Sequence, residues 1–170
     1  MARTFIIADA HFCHKNIIKY CNRPFASIEE MDTVLMSNWN AVVCPQDTVY
    51  VLGDFLLGTV EQPMEITKKL NGHKILIKGN HDRFTNAQYE RAGFESVIRG
   101  DFNIRGFKLR HYPPQEVSKG PNIVLFGHIH DKKIEIEDKY NICVSADRNI
   151  MAFTPKTIEQ IRAQNEILFN

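Results

Sequence analysis

The sequence lacks several features that would assign its class at once. It has no apolar run of membrane length, no repeat, no CxxC pair among its four cysteines and no strong excess of one charge. The net charge of +1 excludes a general electrostatic attraction to nucleic acid or to anionic membranes. The cysteine spacing also disfavours a disulfide framework and a cysteine-rich zinc site. Any handling of nucleic acid would therefore need a local site.

Length and composition predict an ordinary globular protein. A chain of 170 residues, of which 44% are hydrophobic and 24% charged, fits one compact domain over residues 1–170. The apolar run that follows Arg3 is too short for a secretion signal or a membrane span, so we expect a cytoplasmic protein with reduced thiols. Cys13 lies near the site proposed below. A role as a ligand competes there with the favoured interpretation, a small, partly buried side chain.

Strand-like and helix-like segments alternate along the chain, which predicts the α/β class. Five short runs rich in apolar and β-branched residues are expected to be buried strands: Thr4–Ala8, Thr48–Leu52, Lys74–Lys78, Phe107–Arg110 and Asn122–Phe126. Capping and stop signals predict helices between or after them: Ser27–Val43, Thr59–Asn71, Thr85–Gly93 and Thr154–Leu168.

Two hairpins are also expected. One covers Ser96–Tyr112 and turns at Arg105-Gly106. The other covers Lys133–Ala146 and turns near Asp138.

Polar side chains with metal-ligand chemistry follow each of the five strand-like runs. They are Asp9 and His11 after the first, Asp54 after the second, Asn80, His81 and Asp82 after the third, His111 after the fourth, and His128 and His130 after the fifth. The carboxyl ends of strands in α/β sheets are where ligands bind, so we expect these groups at one edge. In extended backbone, residues i and i+2 point the same way, so Asp9 and His11 could share a cavity.

The residue types narrow the chemistry of this edge. Five of the seven histidines lie at these strand ends, whereas His73 lies in a turn and is assigned nothing. Glycine precedes a ligand at Gly53, Gly79 and Gly127, where it permits a sharp exit from a strand or a close approach. Carboxylate, amide and imidazole ligands without a thiolate cluster suit Mn, Fe, Zn or Co. Seven ligands exceed the needs of one tetrahedral metal, which favours two.

These motifs, in this order, resemble the calcineurin-like metallophosphoesterase superfamily. The resemblance rests on Asp9-x-His11, Gly53-Asp54, Gly79-Asn80-His81-Asp82, His111 and Gly127-His128-x-His130, and so spans most of the chain. The segment from Asp9 to Ile18, with Asn22-Arg23-Pro24-Phe25, further resembles a group of small bacterial and phage phosphoesterases. The implied fold is the metallophosphoesterase fold, a four-layer sandwich of two mixed β-sheets flanked by helices.

The resemblance also implies a role for each residue. Asp9, His11, Asp54 and His130 would hold one metal ion. Asp54 would bridge to a second ion that Asn80, His111 and His128 complete. His81 would be the general acid that protonates the leaving oxygen, with Asp82 orienting it. The implied enzyme is a metal-dependent phosphoester hydrolase in which a metal-bridged hydroxide attacks phosphorus in line, with Mn²⁺ the favoured metal and Fe, Zn, Ni or Co as alternatives.

The segment from Phe12 to Ala26 is a long connection directly after the first ligands, as functional loops often are. We expect His14 and Arg23 to contact phosphate or the leaving group, since arginine matches phosphate geometry. The alternative is a solvated loop in which Arg23 merely precedes Pro24.

The favoured substrate is a small or nucleotide-like phosphodiester, without a membrane or a long nucleic acid as partner. A phosphomonoesterase is an alternative. A protein Ser/Thr phosphatase is less favoured, because such relatives carry Val-Asp-Arg-Gly and Asn-His-Glu where this chain has Phe55-Leu56-Leu57-Gly58 after Asp54 and ends its third motif in Asp82. A non-catalytic scaffold would tend to lose the motif histidines, which are intact. A nuclease on long nucleic acid would need a basic stripe with aromatics, and the sequence shows none.

Overall fold

A computed structural model describes residues 2–59, 61–116 and 123–169 of the chain. Within these ranges nine strands form two mixed sheets. The strands are β1 Thr4–Ile7, β2 Thr48–Val51, β3 His73–Ile77, β4 Phe94–Ile98, β5 Phe102–Ile104, β6 Phe107–Leu109, β7 Ile123–Phe126, β8 Asn141–Cys143 and β9 Lys156–Thr157. The predicted fold class, α/β with two mixed sheets and flanking helices, is confirmed.

The first sheet has the strand order β4-β3-β2-β1-β9. Strands β1 to β4 run parallel, and β9 is antiparallel to β1 at the edge. In β1 the residues from Phe5 to Ile7 are all buried, as the continuous apolar run predicts for a strand covered on both faces. The carboxyl ends of β1, β2 and β3 therefore lie at the same edge.

The second sheet has the strand order β5-β6-β7-β8. Strands β6, β7 and β8 are parallel, and β5 pairs with β6 as an antiparallel hairpin. This hairpin turns at Arg105 and Gly106, both with positive φ, as predicted. In the second sheet, β6 ends two residues before His111, and β7 ends two residues before His128.

Five helices complete the described part of the fold: α1 Lys15–Tyr20, α2 Ile28–Val42, α3 Glu61–Lys69, α4 Asn86–Ala92 and α5 Ile158–Phe169. The Ser27 side chain caps α2 by accepting from the Glu30 N–H, and Met31, Leu35 and Trp39 form its buried face. Thr85 and Gln88 form the capping box of α4, which ends at a left-handed Gly93. None of the described helices combines the length and apolar character that a membrane span requires.

Several predicted boundaries need correction. Thr154 and Pro155 do not open the last helix, because the chain first forms β9 and α5 begins at Ile158. There, Thr157 accepts from the Gln160 N–H while the Gln160 side chain accepts from the Thr157 N–H, which is the stronger start signal. Asn122, the predicted start of the fifth strand, lies outside the described residues.

The two expected hairpins are also revised. Ser96 lies in β4 of the first sheet, so the first hairpin contains only β5 and β6. Of the two strands expected within Lys133–Ala146, only β8 forms. The segment 131–140 has no strand, and its turns are held by side chains, as where the Asp138 carboxylate accepts from the N–H groups of Tyr140 and Asn141.

The two sheets join directly behind the predicted site. Ala8, the residue after β1, forms a parallel bridge with Ser145, which follows β8. The Ala8 N–H donates to the Val144 carbonyl at 3.0 Å, and the Ala146 N–H donates to the Ala8 carbonyl at 2.8 Å. The carboxyl ends of parallel strands from both sheets therefore meet at this seam.

Candidate metal centre

Backbone hydrogen bonds align the loops that follow β1 and β2. The Asp9 N–H donates to the Gly53 carbonyl and the His11 N–H to the Asp54 carbonyl, both at 3.0 Å. A parallel bridge between Phe12 and Leu56 continues the pairing. The two loops thus run side by side beyond the sheet, which brings the first two motifs together.

Most of the predicted ligands lie on left-handed backbone. A positive φ occurs at five of the seven, namely Asp9 (54°), His11 (53°), Asp54 (52°), His128 (74°) and His130 (53°). The expectation that Asp9 and His11 converge because the backbone between them is extended is therefore wrong. Such conformations cost about 1–2 kcal/mol per non-glycine residue, and this kind of strain clusters at functional sites.

Glycines allow the ligand loops to approach one another. A Cβ atom on Gly79 would lie 2.3 Å from Asp54 Oδ1, and one on Gly53 would lie 2.3 Å from His111 Nδ1. Gly53 also has a φ of +81°. The sequence position of these glycines, directly before ligands, is explained by this crowding.

One group of ligands comes from the first and last motifs. Ligand atoms of Asp9, His11 and His130 all lie within 4.8 Å of one another. Asp9 is fully buried, and its Oδ2 accepts from the His128 N–H at 2.8 Å and from Ser145 Oγ at 2.6 Å. Burial raises the pKa of Asp9 to about 6. Burial also lowers the pKa of His11 well below its ordinary value, so its ring is the neutral form that ligates metals.

The second group contains Asp54, His111 and His128, whose ligand atoms also lie within 4.8 Å of one another. His111 Nδ1 donates to the Leu52 carbonyl at 2.9 Å, which leaves Nε2 facing the cluster. Asn80 Oδ1 lies 3.0 Å from that Nε2. The predicted amide ligand is thus beside the second group.

Asp54, a member of the second group, also lies beside the first group. Its Oδ2 is 3.6 Å from His11 Nε2 on one side and 3.6 Å from His111 Nε2 on the other. Its Oδ1 accepts from the His81 N–H at 2.9 Å. One carboxylate therefore faces both groups, as a shared ligand would. All seven predicted ligands are brought together at this edge.

His81 faces the same space, but Asp82 does not orient it. The His81 ring lies 5.5 Å from the ring of His11, and no side-chain hydrogen bond fixes it within the described part of the chain. Asp82 instead accepts from the N–H groups of Asp54, Phe55 and Gly79 and from the Tyr89 hydroxyl at 2.7–3.1 Å. The predicted role of Asp82 is corrected accordingly, because this carboxylate holds the backbone of two ligand loops.

The predictions for His14 and Arg23 have different outcomes. His14 lies beside the ligands, with Nδ1 3.2 Å from His11 Nδ1, and lines the cavity described below. Arg23 is 4% exposed, and its guanidinium bonds both oxygens of Asp147 and the carbonyls of Asp9 and Ala10. The prediction that Arg23 contacts phosphate is therefore wrong, because its donors already have partners inside the protein.

Sequence reasoning missed the group that follows β8. Ser145 bonds Asp9, Asp147 bonds His130, and Cys21 lies within 4.8 Å of ligand atoms of His130 and Asp147. The position of Ser145 and Asp147 after β8, another parallel strand, could have identified them. The prediction of a hairpin over this segment kept them from being considered as strand-end residues. Cys13 is not in a ligand group of the described residues, and burial raises the pKa of its thiol to about 12.

A cavity of about 400 Å³ opens onto both groups. Its lining combines residues of the site with the less polar and charged residues around them: His11, His14, Asp54, His81, His128 and His130, with Ile17, Tyr20, Cys21, Ile129, Asp131 and Lys132. The ligands are therefore reachable from solvent through a space large enough for a small organic ester.

The residues present fit divalent metal ions. Asp9 Oδ1 and His11 Nε2 are buried side-chain atoms without a hydrogen-bond partner in the described structure. Buried polar atoms are nearly always bonded, so two such atoms in one ligand group call for a missing partner. A cation satisfies a carboxylate oxygen and a neutral imidazole nitrogen together.

The fold and this cluster define an α/β protein of two mixed sheets with candidate metal-binding groups where the sheets meet. The chain belongs to the family of the uncharacterized protein MJ1445 of Methanocaldococcus jannaschii. It is 49% identical to that protein over 138 residues, which are 79% of this chain and 73% of the relative. No model of a protein family matches the sequence.

Further similarities are more partial. The Gene 66 protein of Mycobacterium phage L5 is 34% identical over 85 residues, so the match spans 48% of this chain and about two fifths (41%) of the phage protein. The crystal structure of AQ665, a protein of unknown function from Aquifex aeolicus, has a TM-score of 0.74 at 24% identity and covers 96% of this chain and all of its own. Nuclease MPE of Pseudomonas putida has a TM-score of 0.54 at 23% identity over 75% of this chain and 62% of its own. These two structures show the fold alone.

Proposed function

We propose that the chain is a metal-dependent phosphoester hydrolase of the calcineurin-like metallophosphoesterase type. The observation that carries the proposal is Asp54, whose Oδ2 lies 3.6 Å from a histidine nitrogen of each ligand group. A carboxylate between two groups of ligands suits two cations held close together, an arrangement typical of phosphoester hydrolysis.

The two groups divide the ligands. Asp9, His11 and His130 would hold one ion with Asp54, and Asn80, His111 and His128 would hold the other with the same Asp54. When bound, such ions stabilise charge on phosphoryl oxygens and lower the pKa of water. Mn²⁺ is the metal that the family resemblance favours, and this oxygen and nitrogen donor set also suits Fe, Zn, Ni or Co.

His81 is the proposed proton donor. Its backbone is anchored to Asp54, and its ring lines the cavity beside His11 and His14. A ring that faces the cavity and is not bound to a carboxylate can deliver a proton to a leaving oxygen held there. His14, 3.2 Å from His11, would support that ligand and border the substrate.

A small or nucleotide-like phosphodiester is the proposed substrate. Ile17, Tyr20 and Ile129 give the cavity an apolar side next to the ligands, which suits an organic group on the phosphate. The similarity in fold to a protein named as a nuclease supports phosphodiester chemistry. With a net charge of +1 the chain offers no general attraction to long nucleic acid, so we propose a small substrate. We further propose that residues 1–170 act as one domain in the cytoplasm.

The alternatives differ in what the site would do. A phosphomonoesterase or a protein Ser/Thr phosphatase would use the same ligands with a dianionic ester. A non-catalytic scaffold would not need His81 at the cavity, and the presence of His81 there favours an enzyme.

The test is a substrate and metal panel. Metal-stripped protein is reconstituted with Mn²⁺, Ni²⁺, Co²⁺, Zn²⁺ or Mg²⁺ and assayed on bis-aryl phosphate, mono-aryl phosphate, cyclic nucleotides and a single-stranded oligonucleotide. We expect metal-dependent turnover that is highest on diesters, and an unchanged rate in His73→Ala, a histidine outside the site. Absence of turnover with every metal would support the scaffold, and preference for the mono-aryl ester would support the phosphomonoesterase.

A further inference from the structure

Arg23 is buried between the loop that carries the ligands Asp9 and His11 and the loop that follows β8. Its Nη1 donates to the Ala10 carbonyl at 2.8 Å and its Nη2 to the Asp9 carbonyl at 2.7 Å. Its Nε and Nη2 also donate to the two oxygens of Asp147, at 2.6 and 3.1 Å. The guanidinium therefore ties the Asp9 loop to the loop that follows β8.

Asp147 extends this connection to a third ligand. Its Oδ2 accepts from His130 Nδ1 at 2.7 Å, and its side chain is 3% exposed. Because Nδ1 is occupied, Nε2 is the nitrogen of His130 that remains to ligate. A continuous set of bonds thus runs from the backbone of Asp9 through Arg23 and Asp147 to His130.

The second ligand group is held by other means. His111 is fixed by the Leu52 carbonyl, and the loops of Asp54 and Asn80 are held by Asp82. Among residues 2–59, 61–116 and 123–169, the hydrogen bonds of Arg23 reach only Asp9, Ala10, Met31 and Asp147. The groups do touch, since the His128 N–H donates to Asp9 Oδ2 and the His11 N–H to the Asp54 carbonyl. Arg23 and Asp147, however, bond directly to ligands of the first group and to each other, not to Asp54, His111 or His128 in the described structure.

Cys21, His130 and Asp147 could be taken for a third cation site, since their ligand atoms lie within 4.8 Å. Both Asp147 oxygens are, however, bonded to Arg23, and one is also bonded to His130. A cation there would face the positive guanidinium at close range. This group is better explained as a support for His130.

We propose that Arg23 and Asp147 are positioning residues that set the affinity of one metal position only, the position formed by Asp9, His11 and His130. The proposal rests on the binuclear centre of the proposed function. Carboxylates that orient a ligating histidine typically change metal affinity by about 10–100-fold when they are replaced. In Asp147→Asn, the position formed by Asp9, His11 and His130 should therefore lose metal affinity. The position formed by Asp54, His111 and His128 should keep its affinity.

The experiment titrates metal-stripped protein with Mn²⁺ by calorimetry, with electron paramagnetic resonance on the same samples. In the unaltered protein we expect two ions and the signal of a coupled pair. In Asp147→Asn, which keeps the side-chain volume, we expect one position weakened about 10–100-fold and an isolated Mn²⁺ signal at one equivalent. Arg23→Lys keeps the charge but not the forked geometry, so a smaller selective loss is expected.

The matched control is Asp47→Asn, which breaks the pair that the buried Asp47 carboxylate forms with Arg3 at the opposite end of the strands. Folding of each variant is checked by circular dichroism without metal, and Arg23→Lys decides the matter if Asp147→Asn does not fold. Two ions bound with unaltered affinity in the folded variants would overturn the proposal. Equal weakening of both positions would also overturn it. An unaltered protein that binds no Mn²⁺ would instead refute the binuclear centre itself.

Discussion

The two ends of the parallel strands in the first sheet each carry an Arg–Asp pair with a buried carboxylate, and the two pairs serve different purposes. The Arg23 side chain is fully buried, whereas that of Arg3 is 48% exposed. At the amino ends, Arg3 bonds Asp47, 44 residues away, beside the start of β2. At the carboxyl ends, Arg23 bonds Asp147, 124 residues away. No residue from 43 to 51 has a positive φ, whereas five of the predicted ligands do. Residues 43–51 at the amino edge thus have no left-handed backbone, whereas the carboxyl edge has left-handed ligand residues and two buried polar atoms without hydrogen bonds within the described part of the chain.

The two edges also differ in how completely their buried carboxylates are hydrogen-bonded. Asp47 has hydrogen-bond donors from Arg3 and Cys44 for both of its oxygens. Asp9, equally buried, keeps one oxygen, Oδ1, without a hydrogen-bond partner in the described structure. A protein selected for stability alone would satisfy both carboxylates. The unsatisfied one marks the edge at which we propose that ions bind.

The largest expected effect separates the two edges by their carboxylates. Asp54→Asn removes the charge shared by both ligand groups, so we expect loss of bound metal and a phosphoesterase rate below detection. Asp47→Asn should keep metal content and rate. Metal content by atomic emission and turnover of a bis-aryl phosphate measure both. Full metal and rate in Asp54→Asn would remove the distinction between the edges.

The second prediction separates catalysis from metal binding within the carboxyl edge. His81→Ala should lower the rate on an ester with an unactivated leaving group by about 10²–10⁴-fold, because the proton donor is lost. Metal content should not change, since His81 belongs to neither ligand group. An activated aryl ester should be affected less. Equal rates of the variant and the unaltered protein on the unactivated ester would contradict the assigned role.

The third prediction concerns crowding at the carboxyl edge. Gly53 and Gly100 have similar φ values, +81° and +84°, but a Cβ on Gly53 meets His111 at 2.3 Å whereas one on Gly100 meets nothing within 4 Å. Gly53→Ala should therefore lower the free energy of unfolding by about 1–3 kcal/mol more than Gly100→Ala does. Urea unfolding of the metal-free variants measures the difference. Similar losses in both would mean that crowding is unimportant.

The smallest expected effect tests the amino edge by pH. Burial acts to raise the pKa of Asp47, but bonds from Arg3 and from the Cys44 N–H outweigh it and lower the pKa to about 2. The stabilisation is therefore complete above the ordinary pKa of 3.8 and is lost as pH falls to about 2.

The free energy of unfolding should accordingly differ between the unaltered protein and Asp47→Asn at neutral pH, and the difference should shrink across this acid range. Denaturant titrations at several pH values measure it. A difference that stays constant down to pH 2 would show that the carboxylate charge of Asp47 contributes nothing.

Most of the strand positions were predictable because buried parallel strands have continuous apolar runs and glycine or polar ends. The five expected strands agree with β1, β2, β3, β6 and β7 to within a residue at each described end. The short strands β5, β8 and β9 carry weaker signals. Pro155 misled the prediction of α5, because proline is common both at a helix start and before an edge strand.

The residues of the candidate site were predictable, but their supports were not. His11 and Asp54 stand beside strand ends in the sequence, so their convergence follows from sheet topology. Arg23 and Asp82 looked like groups for substrate and catalysis, because sequence does not show whether a polar side chain already has partners. Asp147 acquires its role only from contacts with Arg23 and His130 across the fold.

The bridge between Ala8 and Ser145 has a consequence for how the proposed metal centre would form. Neither sheet alone contains a complete ligand group, since the first group combines Asp9 and His11 with His130, and the second combines Asp54 with His111 and His128. Contacts between residues so distant in sequence form late, because closing the long intervening loops is entropically costly. During synthesis the emerging chain would have no ordered place for an ion until the residues around Ser145 had left the ribosome. Binding of the proposed ions would then require that both sheets have folded and joined.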